Sequence, residues 1–320
     1  MSQVKAAVLG AGSYVFGPSL LRDAIVEHKL DGLELAMVDP NDLTLELMAT
    51  LGRRMAEMVG VRLKITTHAR QSSALDGADF VICAAAQQLY RRFETDCAII
   101  DRLSPGHPIS EFGGIAGLSY SLRQIAVIQE ICADMRRICP NAWLLNLANP
   151  LPHVSQAAHE EGIRTVGFCS ASLVGYARVW KILHDQQVHY PFGLAQSRLN
   201  MLMGGLNHFS WILELHDRDS DENLYPLLRE KLSHGNPLNE PITQRLFAET
   251  GYLVAPSDDR IRDFLPPVEP LPPQYAPRHG SSEQRQQWIE LLRDSAEGRV
   301  PWQELFDRES WEKPIDLIAA

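Results

Sequence analysis

Val4-Lys5-Ala6-Ala7-Val8-Leu9-Gly10-Ala11-Gly12-Ser13 opens the chain, and Leu33-Glu34-Leu35-Ala36-Met37-Val38-Asp39 follows it after a helical pattern from Ser19 to Leu30. An apolar run into Gly-Ala-Gly, a helix, and a second run ending on an acid form the opening βαβ unit of a dinucleotide-binding fold. The glycines allow a tight turn and close approach to a pyrophosphate, and the helix start offers it free N–H groups. Asp39 is placed to accept hydrogen bonds from a ribose diol. A phosphate on that ribose would meet the carboxylate's charge, so NAD is expected rather than NADP. The full G-x-G-x-x-G pattern is not met, because Val15 holds the third glycine's place and the next glycine is Gly17. Gly-Ala-Gly turns also occur for structural reasons alone. Here strand, helix and terminal acid stand in register, which favours the cofactor.

The composition agrees with a cytoplasmic enzyme. A chain of 320 residues has room for two domains with separate cores. A formal net charge of -10 argues against a nucleic-acid surface. No apolar run has the length of a membrane span, and the chain opens on a strand rather than a charged leader. The five cysteines (Cys83, Cys97, Cys132, Cys139, Cys169) lack disulfide-framework or zinc-finger spacing, so reduced thiols are expected.

Downstream, Asn41 to Val59 reads as an amphipathic helix with Leu43, Leu47, Leu51, Met55 and Met58 on its apolar stripe, capped by Asn41 or Asp42. A short strand at Arg62 to Thr66 and a polar helix near Ser72 lead to Asp79-Phe80-Val81-Ile82-Cys83, a buried parallel strand with Cys83 as core. Arg91 and Arg92 lie just beyond that strand, on a segment from Gln87 to Leu103. They could form a solvated face, but an arginine just beyond a strand end suits an anionic substrate group or a cofactor phosphate. The cluster Gly113-Gly114-Ile115-Ala116-Gly117 reads as a crossing loop beside a site or as an ordinary turn. A long helix follows from Leu118 to Ile138.

Ala142-Trp143-Leu144-Leu145-Asn146-Leu147-Ala148-Asn149-Pro150 places two asparagines at the carboxyl end of an apolar strand, where open α/β sheets bind ligands. Buried amides need partners, and ribose or sugar hydroxyls would serve. After a helix (Leu151 to Glu161), a strand from Arg164 to Phe168 delivers Cys169. A helical stretch then leads to Leu199 through Leu215, whose alternation predicts antiparallel strands and which contains Gly205-Leu206-Asn207-His208. A lone strand-tip cysteine usually packs, and a lone histidine in a strand is usually a satisfied core group. Together, at matching ends of two elements, Cys169 and His208 are equipped to be a two-ligand metal site with positions open to water or substrate.

Gly10-Ala11-Gly12-Ser13, Asp39, Arg91-Arg92-Phe93-Glu94, Asn146-x-x-Asn149-Pro150, Gly167-Phe168-Cys169 and Gly205-Leu206-Asn207-His208-Phe209 occur in the same order as in glycoside hydrolase family 4. The chain resembles that family from its first strand to nearly its end. The resemblance implies a lactate- and malate-dehydrogenase-like fold. It implies a Rossmann-like doubly wound parallel sheet over residues 1–170, binding NAD, and a mixed α+β substrate domain over 171–320. It further implies a divalent metal, commonly manganese, and glycosidic cleavage by redox-assisted elimination, an exception to the two-carboxylate rule of glycosidases. In that scheme NAD⁺ takes hydride from sugar C3, the ketone acidifies C2, a base removes the C2 proton, and the glycosidic oxygen leaves. Water then adds and the hydride returns. By resemblance, Gly10, Gly12, Ser13, Tyr14, Asp39 and Asn146 contact the cofactor, and Cys169 and His208 hold the metal. Asn149, Asn207 and an arginine of the Arg91/Arg92 pair contact the glycoside. A homo-oligomer is expected.

Three departures qualify the resemblance. Ser170 stands where the family often has His, Asn or Asp. A serine is a poor general acid unaided, so another group, water, or an activated leaving group must complete the step. In Gly251 to Pro266, the family's histidine and Glu-Tyr pair are replaced by Arg260 or Ile261 and by Asp263-Phe264, so Tyr252 and Asp259 both remain candidates for the C2 base. Family chains also continue beyond a helix like Ser310-Trp311-Glu312, so the chain reads as a short member. The rival readings are an NAD-dependent sugar or 2-hydroxy-acid dehydrogenase and a non-catalytic NAD-binding relative. A proline-rich extended stretch is expected from Leu265 to Pro277, then helices from Ser281 to Ala296 and from Trp302 to Ile318.

Overall fold

A computed structural model describes residues 4–13, 16–87, 89–104, 110–184, 197–235, 237–265 and 282–307. Tyr14 and the proline-rich stretch lie outside the described residues. The chain divides into two compact units, Met1–Phe168 with Tyr275–Ile315, and Cys169–Gln274 with Asp316–Ala320.

The first unit is built on six parallel strands: β1 Lys5–Leu9, β2 Glu34–Val38, β3 Lys64–His68, β4 Phe80–Cys83, β5 Trp143–Asn146 and β6 Thr165–Gly167. Their order is β3-β2-β1-β4-β5-β6, that of a doubly wound sheet whose crevice opens where the winding reverses, between β1 and β4. Side chains alternate across β1 and β2 as a pleated strand requires. Ala6, Val8, Leu35 and Met37 face one core, with α1 (Gly17–Arg22) and α2 (Asp42–Val59). Ala7, Leu9 and Ala36 face the other, with α3 (Gln71–Leu75), α5 (Gly114–Ile138) and α6 (Leu151–Glu160). α4 (Leu89–Leu103) packs on α5 through Phe93, Cys97, Ile100, Ala116 and Tyr120. Cys83 is core as expected, and burial pushes its thiol up to about 11.

Two local expectations are revised. α2 is capped by Asn41, whose side chain accepts from Thr44 N at 3.3 Å, but its buried stripe is Leu45, Met48, Leu51 and Met55. Leu43 and Met58 are exposed. The helix carries apolar residues on more than one face, and contact with the sheet selects among them. The glycine cluster is the start of α5 rather than a loop: Gly113 is the N-cap residue, and Gly114 and Gly117 lie within the helix.

The C-terminal helix α11, Ser282–Glu297, lies on α2, with Trp288, Leu291, Leu292 and Ala296 joining the core that holds Leu51 and Met55. It belongs to the first unit although it follows the second in sequence.

The second unit is an antiparallel sheet of β7 Leu199–Leu206, β8 Phe209–Asp217 and β9 Leu253–Val254. It is covered by α7 (Ala171–His184), α8 (Tyr225–Ser233) and α9 (Pro241–Thr250). Tyr225 braces it: its hydroxyl donates to Ile212 O at 2.7 Å and accepts from Leu253 N at 3.0 Å, joining β8 to β9. A short helix α10, Asp258–Ile261, continues as a 3₁₀ turn, Arg262–Phe264. Among the described residues no helix is long and apolar enough to cross a membrane.

The docking of α11 on α2 yields a test. Trp288→Ala removes a large side chain that is only 4% exposed. It should cost about 3–5 kcal/mol of unfolding free energy in urea titrations. An unchanged midpoint would place Trp288 outside that core.

Candidate functional site

In the first unit the site begins where β1 ends. Gly10 has φ +84°, and a Cβ there would lie 2.7 Å from the carbonyl carbon and oxygen of Ala84, so only glycine fits. Gly10 N and Ala11 N both donate to Val38 O, at 2.9 and 3.0 Å, which draws the loop against the tip of β2. There Asp39 Oδ2 accepts from Gly12 N at 2.9 Å and Oδ1 from Asn41 N at 2.9 Å. Ser13 continues the turn, its N donating to Gly10 O and its hydroxyl accepting from Phe16 N. Burial raises the Asp39 carboxyl above its ordinary value, partly offset by the Asn41 and Gly12 N–H groups. An ionised carboxylate has about four acceptor directions, so these bonds leave capacity for a ribose diol. The loop thus fits a dinucleotide.

At the end of β5 the two asparagines separate in role. Asn146 is fully buried, and its amide is committed to its own chain. Nδ2 donates to Ala148 O at 3.2 Å and to Ser155 Oγ at 3.0 Å, while Oδ1 accepts from Ala148 N at 3.0 Å. That is the geometry of a residue holding a turn. Asn149, half-buried, precedes the cis bond to Pro150 at the start of α6. Arg91 and Arg92 lie exposed in the first turn of α4.

The second unit brings together the two residues singled out for metal binding. Cys169 stands two residues before α7, and His208 sits in the two-residue turn joining β7 to β8. Cys169 Sγ and His208 Nε2 are 3.3 Å apart. His208 is buried and is not within a strand: its φ of +62° is left-handed, uncommon for a residue with a Cβ and a sign of a conformation imposed by its surroundings. Beside it, Asn207 Oδ1 is buried and accepts no hydrogen bond among the described residues. Among those residues no group of three His, Cys, Asp or Glu could hold a metal, so the pair has no third side chain of these types beside it. A structural zinc site would need four. Thiolate and imidazole, with an unsatisfied amide oxygen next to them, fit a divalent ion whose other positions belong to water or substrate.

The two candidate bases lie on one connected segment. Tyr252 is 40% exposed and meets Tyr225 edge-on at 5.9 Å. Asp259 Oδ1 accepts from Ser257 Oγ at 2.5 Å, and its Oδ2 is 3.8 Å from Arg260 Nε. The residue that sequence reasoning missed is Arg178 on α7, buried and ion-paired with Glu240. In sequence it looks like Lys181 of the same helix, a cation among apolar residues.

The class so far is structural: a doubly wound α/β unit with a glycine turn against a strand-tip acid, followed by an antiparallel unit carrying a Cys–His pair. The comparisons narrow it. Residues 5–185 match the model of family 4 glycosyl hydrolases, and residues 203–320 match that family's C-terminal domain. The chain belongs to family 4 of the glycosyl hydrolases. It is 27% identical over 266 residues to an alpha-galactosidase of Bacillus subtilis (strain 168), covering 82% of this chain and 59% of that protein. It is 30% identical over 232 residues to an alpha-glucosidase of Erwinia rhapontici, covering 71% and 49%. In fold it resembles a 6-phospho-beta glucosidase of Thermotoga maritima solved with manganese, NAD⁺ and glucose-6-phosphate. The TM-score is 0.72 at 19% identity, over 98% of this chain and 71% of that one. The chain spans about half the length of the curated relatives it matches.

The strained turn is directly testable. His208→Gly relieves the left-handed backbone and His208→Ala does not. The glycine variant should be the more stable of the two by about 1 kcal/mol in urea unfolding. Equal stabilities would mean that the turn carries no strain.

Proposed function

We propose that the chain is an NAD-dependent, divalent-metal-assisted glycosidase that cleaves O-glycosyl bonds by transient oxidation and elimination. The observation that carries this reading is the 3.3 Å approach of Cys169 and His208 in a chain that also places Asp39 at the tip of β2. Bound NAD⁺ supplies a hydride acceptor, and the divalent ion, manganese by analogy with the Thermotoga neighbour, supplies a Lewis acid. The chain's residues do the rest. Gly10, Gly12 and Ser13 give the pyrophosphate an open backbone, and Asp39 takes the ribose hydroxyls. Cys169 as thiolate and His208 as neutral imidazole hold the ion, while Asn149 and Asn207 bind sugar hydroxyls. Arg91 or Arg92 binds an outer substrate group. Tyr252 or Asp259 removes the C2 proton. Asn146 acts indirectly, by holding the turn that carries Asn149. With Ser170 in the family's acid position, another group or water protonates the departing oxygen, or the leaving group is activated and departs unprotonated. The substrate is a small-molecule glycoside, and the same reading makes the protein a cytoplasmic homo-oligomer.

The deciding experiment is a panel of aryl glycosides and free sugars in deuterated buffer with NAD⁺, with and without Mn²⁺. Cleavage should require NAD⁺ without net NADH production, should weaken on chelation, and should place deuterium at C2 of the released sugar. Hydrolysis with no deuterium at C2 and no need for NAD⁺ excludes elimination. NADH in proportion to product marks a dehydrogenase instead.

Asp39 gives a pH test. Its carboxyl titrates above 3.8 because it is buried, and protonation replaces one of its acceptors by a donor. NAD⁺ affinity should therefore fall as pH is lowered through that raised value. Asp39→Ala should bind NAD⁺ more weakly at neutral pH and lose this dependence. Isothermal titration calorimetry at a series of pH values reads both, and a pH-independent wild-type affinity would contradict the assignment.

A further inference from the structure

Arg178 is 6% exposed on α7. Burying a guanidinium is costly unless it is paired and hydrogen-bonded, so its partners show what the chain gains. Nη1 donates to three successive carbonyls: Val254 O and Ala255 O, each at 2.7 Å, and Pro256 O. Nη2 reaches the Glu240 carboxylate and Thr243 Oγ1, the latter at 3.1 Å. Nε, also buried, bonds to nothing among the described residues, so the outer nitrogens carry the whole set. The Thr243 hydroxyl lies 2.7 Å from Asp258 Oδ1, and Asp258 accepts from Ile242 N and Thr243 N at 2.7 Å each, closing the start of α9.

These bonds join the supports of the Cys–His pair. α7 starts just after Cys169, with Val174 N donating to Ser170 O at 3.1 Å, so α7 carries the cysteine. Residues 253–255 are bonded to β8: Leu253 and Val254 pair with Ile212 and Trp211, and Ala255 N donates to Ser210 O at 2.9 Å, two residues beyond His208. The approach is close enough that a Cβ on Gly175 would lie 3.0 Å from Ala255 Cβ and 3.1 Å from Met203 Cε. Further along the same segment, Phe264 stacks on Phe209, the neighbour of His208, at 5.5 Å.

We propose that Arg178 is a positioning residue for the Cys169–His208 centre, clamping the helix that carries the cysteine to the strand segment bonded behind the histidine. The proposal rests on the metal reading of that pair. A lysine cannot replace it, because one ammonium cannot span three carbonyls and a carboxylate with its hydroxyl neighbour.

The test measures Mn²⁺ binding to the full chain by electron paramagnetic resonance of the free ion, with NAD⁺ present. The variants are Arg178→Lys, Arg178→Ala, His208→Ala, and Leu232→Ala, a buried core truncation elsewhere in the same unit. Arg178→Lys should weaken Mn²⁺ binding by about 10- to 100-fold with the NAD⁺ dissociation constant unchanged. Leu232→Ala should lower the melting temperature and leave Mn²⁺ affinity within about twofold, a shift far smaller than the loss of a positioning contact. Added guanidinium ion at non-denaturing concentration should restore binding to Arg178→Ala and not to His208→Ala. If His208→Ala loses the ion while both Arg178 variants bind it like wild type, or no worse than Leu232→Ala, the clamp is wrong and the metal site stands. If His208→Ala itself binds Mn²⁺ like wild type, the metal reading falls and the clamp with it.

Discussion

The approach of a thiol and an imidazole to 3.3 Å gives the second unit its chemical meaning, and it is held by features that would otherwise count against the fold. A histidine sits in left-handed backbone at a hairpin turn, and an arginine is buried under three carbonyls. Each is unfavourable taken alone. Each becomes tolerable because antiparallel pairing of β7, β8 and β9 and the packing of α7 leave the local chain no other arrangement. On the proposed metal reading, strain and buried charge beside the pair hold its two side chains in place.

The first unit solves a different problem by ordinary means. Its sheet buries alternate residues of β1 and β2 in opposite cores, and Gly10 is pressed against the end of β4. The bond from Gly12 N to Asp39 joins loop and acid before any ligand arrives. Two N–H donors reward the ionised carboxylate while burial opposes it, and the raised titration shows burial prevailing. In the proposed reading, that acid takes the ribose hydroxyls.

Local misreadings have a common origin. Leucine spacing on α2 predicts a stripe through Leu43, yet Leu45 and Met48 are the residues in the core and Leu43 is exposed. The glycines after residue 112 suggested a loop, whereas a long helix tolerates Gly114 and Gly117 at its beginning because its remaining turns are anchored in a core.

By itself the sequence determined the doubly wound sheet, the glycine turn facing Asp39, the antiparallel second unit, and the identity of Cys169 and His208 as a pair worth testing. These follow from period, residue chemistry and order along the chain, which are local properties. Tertiary structure alone decided that α11 returns to the first unit, that His208 sits in a turn rather than a strand, and that Arg178 joins α7 to residues 254–256. Each depends on segments distant in sequence competing for the same buried surface or the same carbonyl oxygens. One lysine or arginine on an apolar helix looks alike in sequence whether its charge reaches solvent or a buried carboxylate.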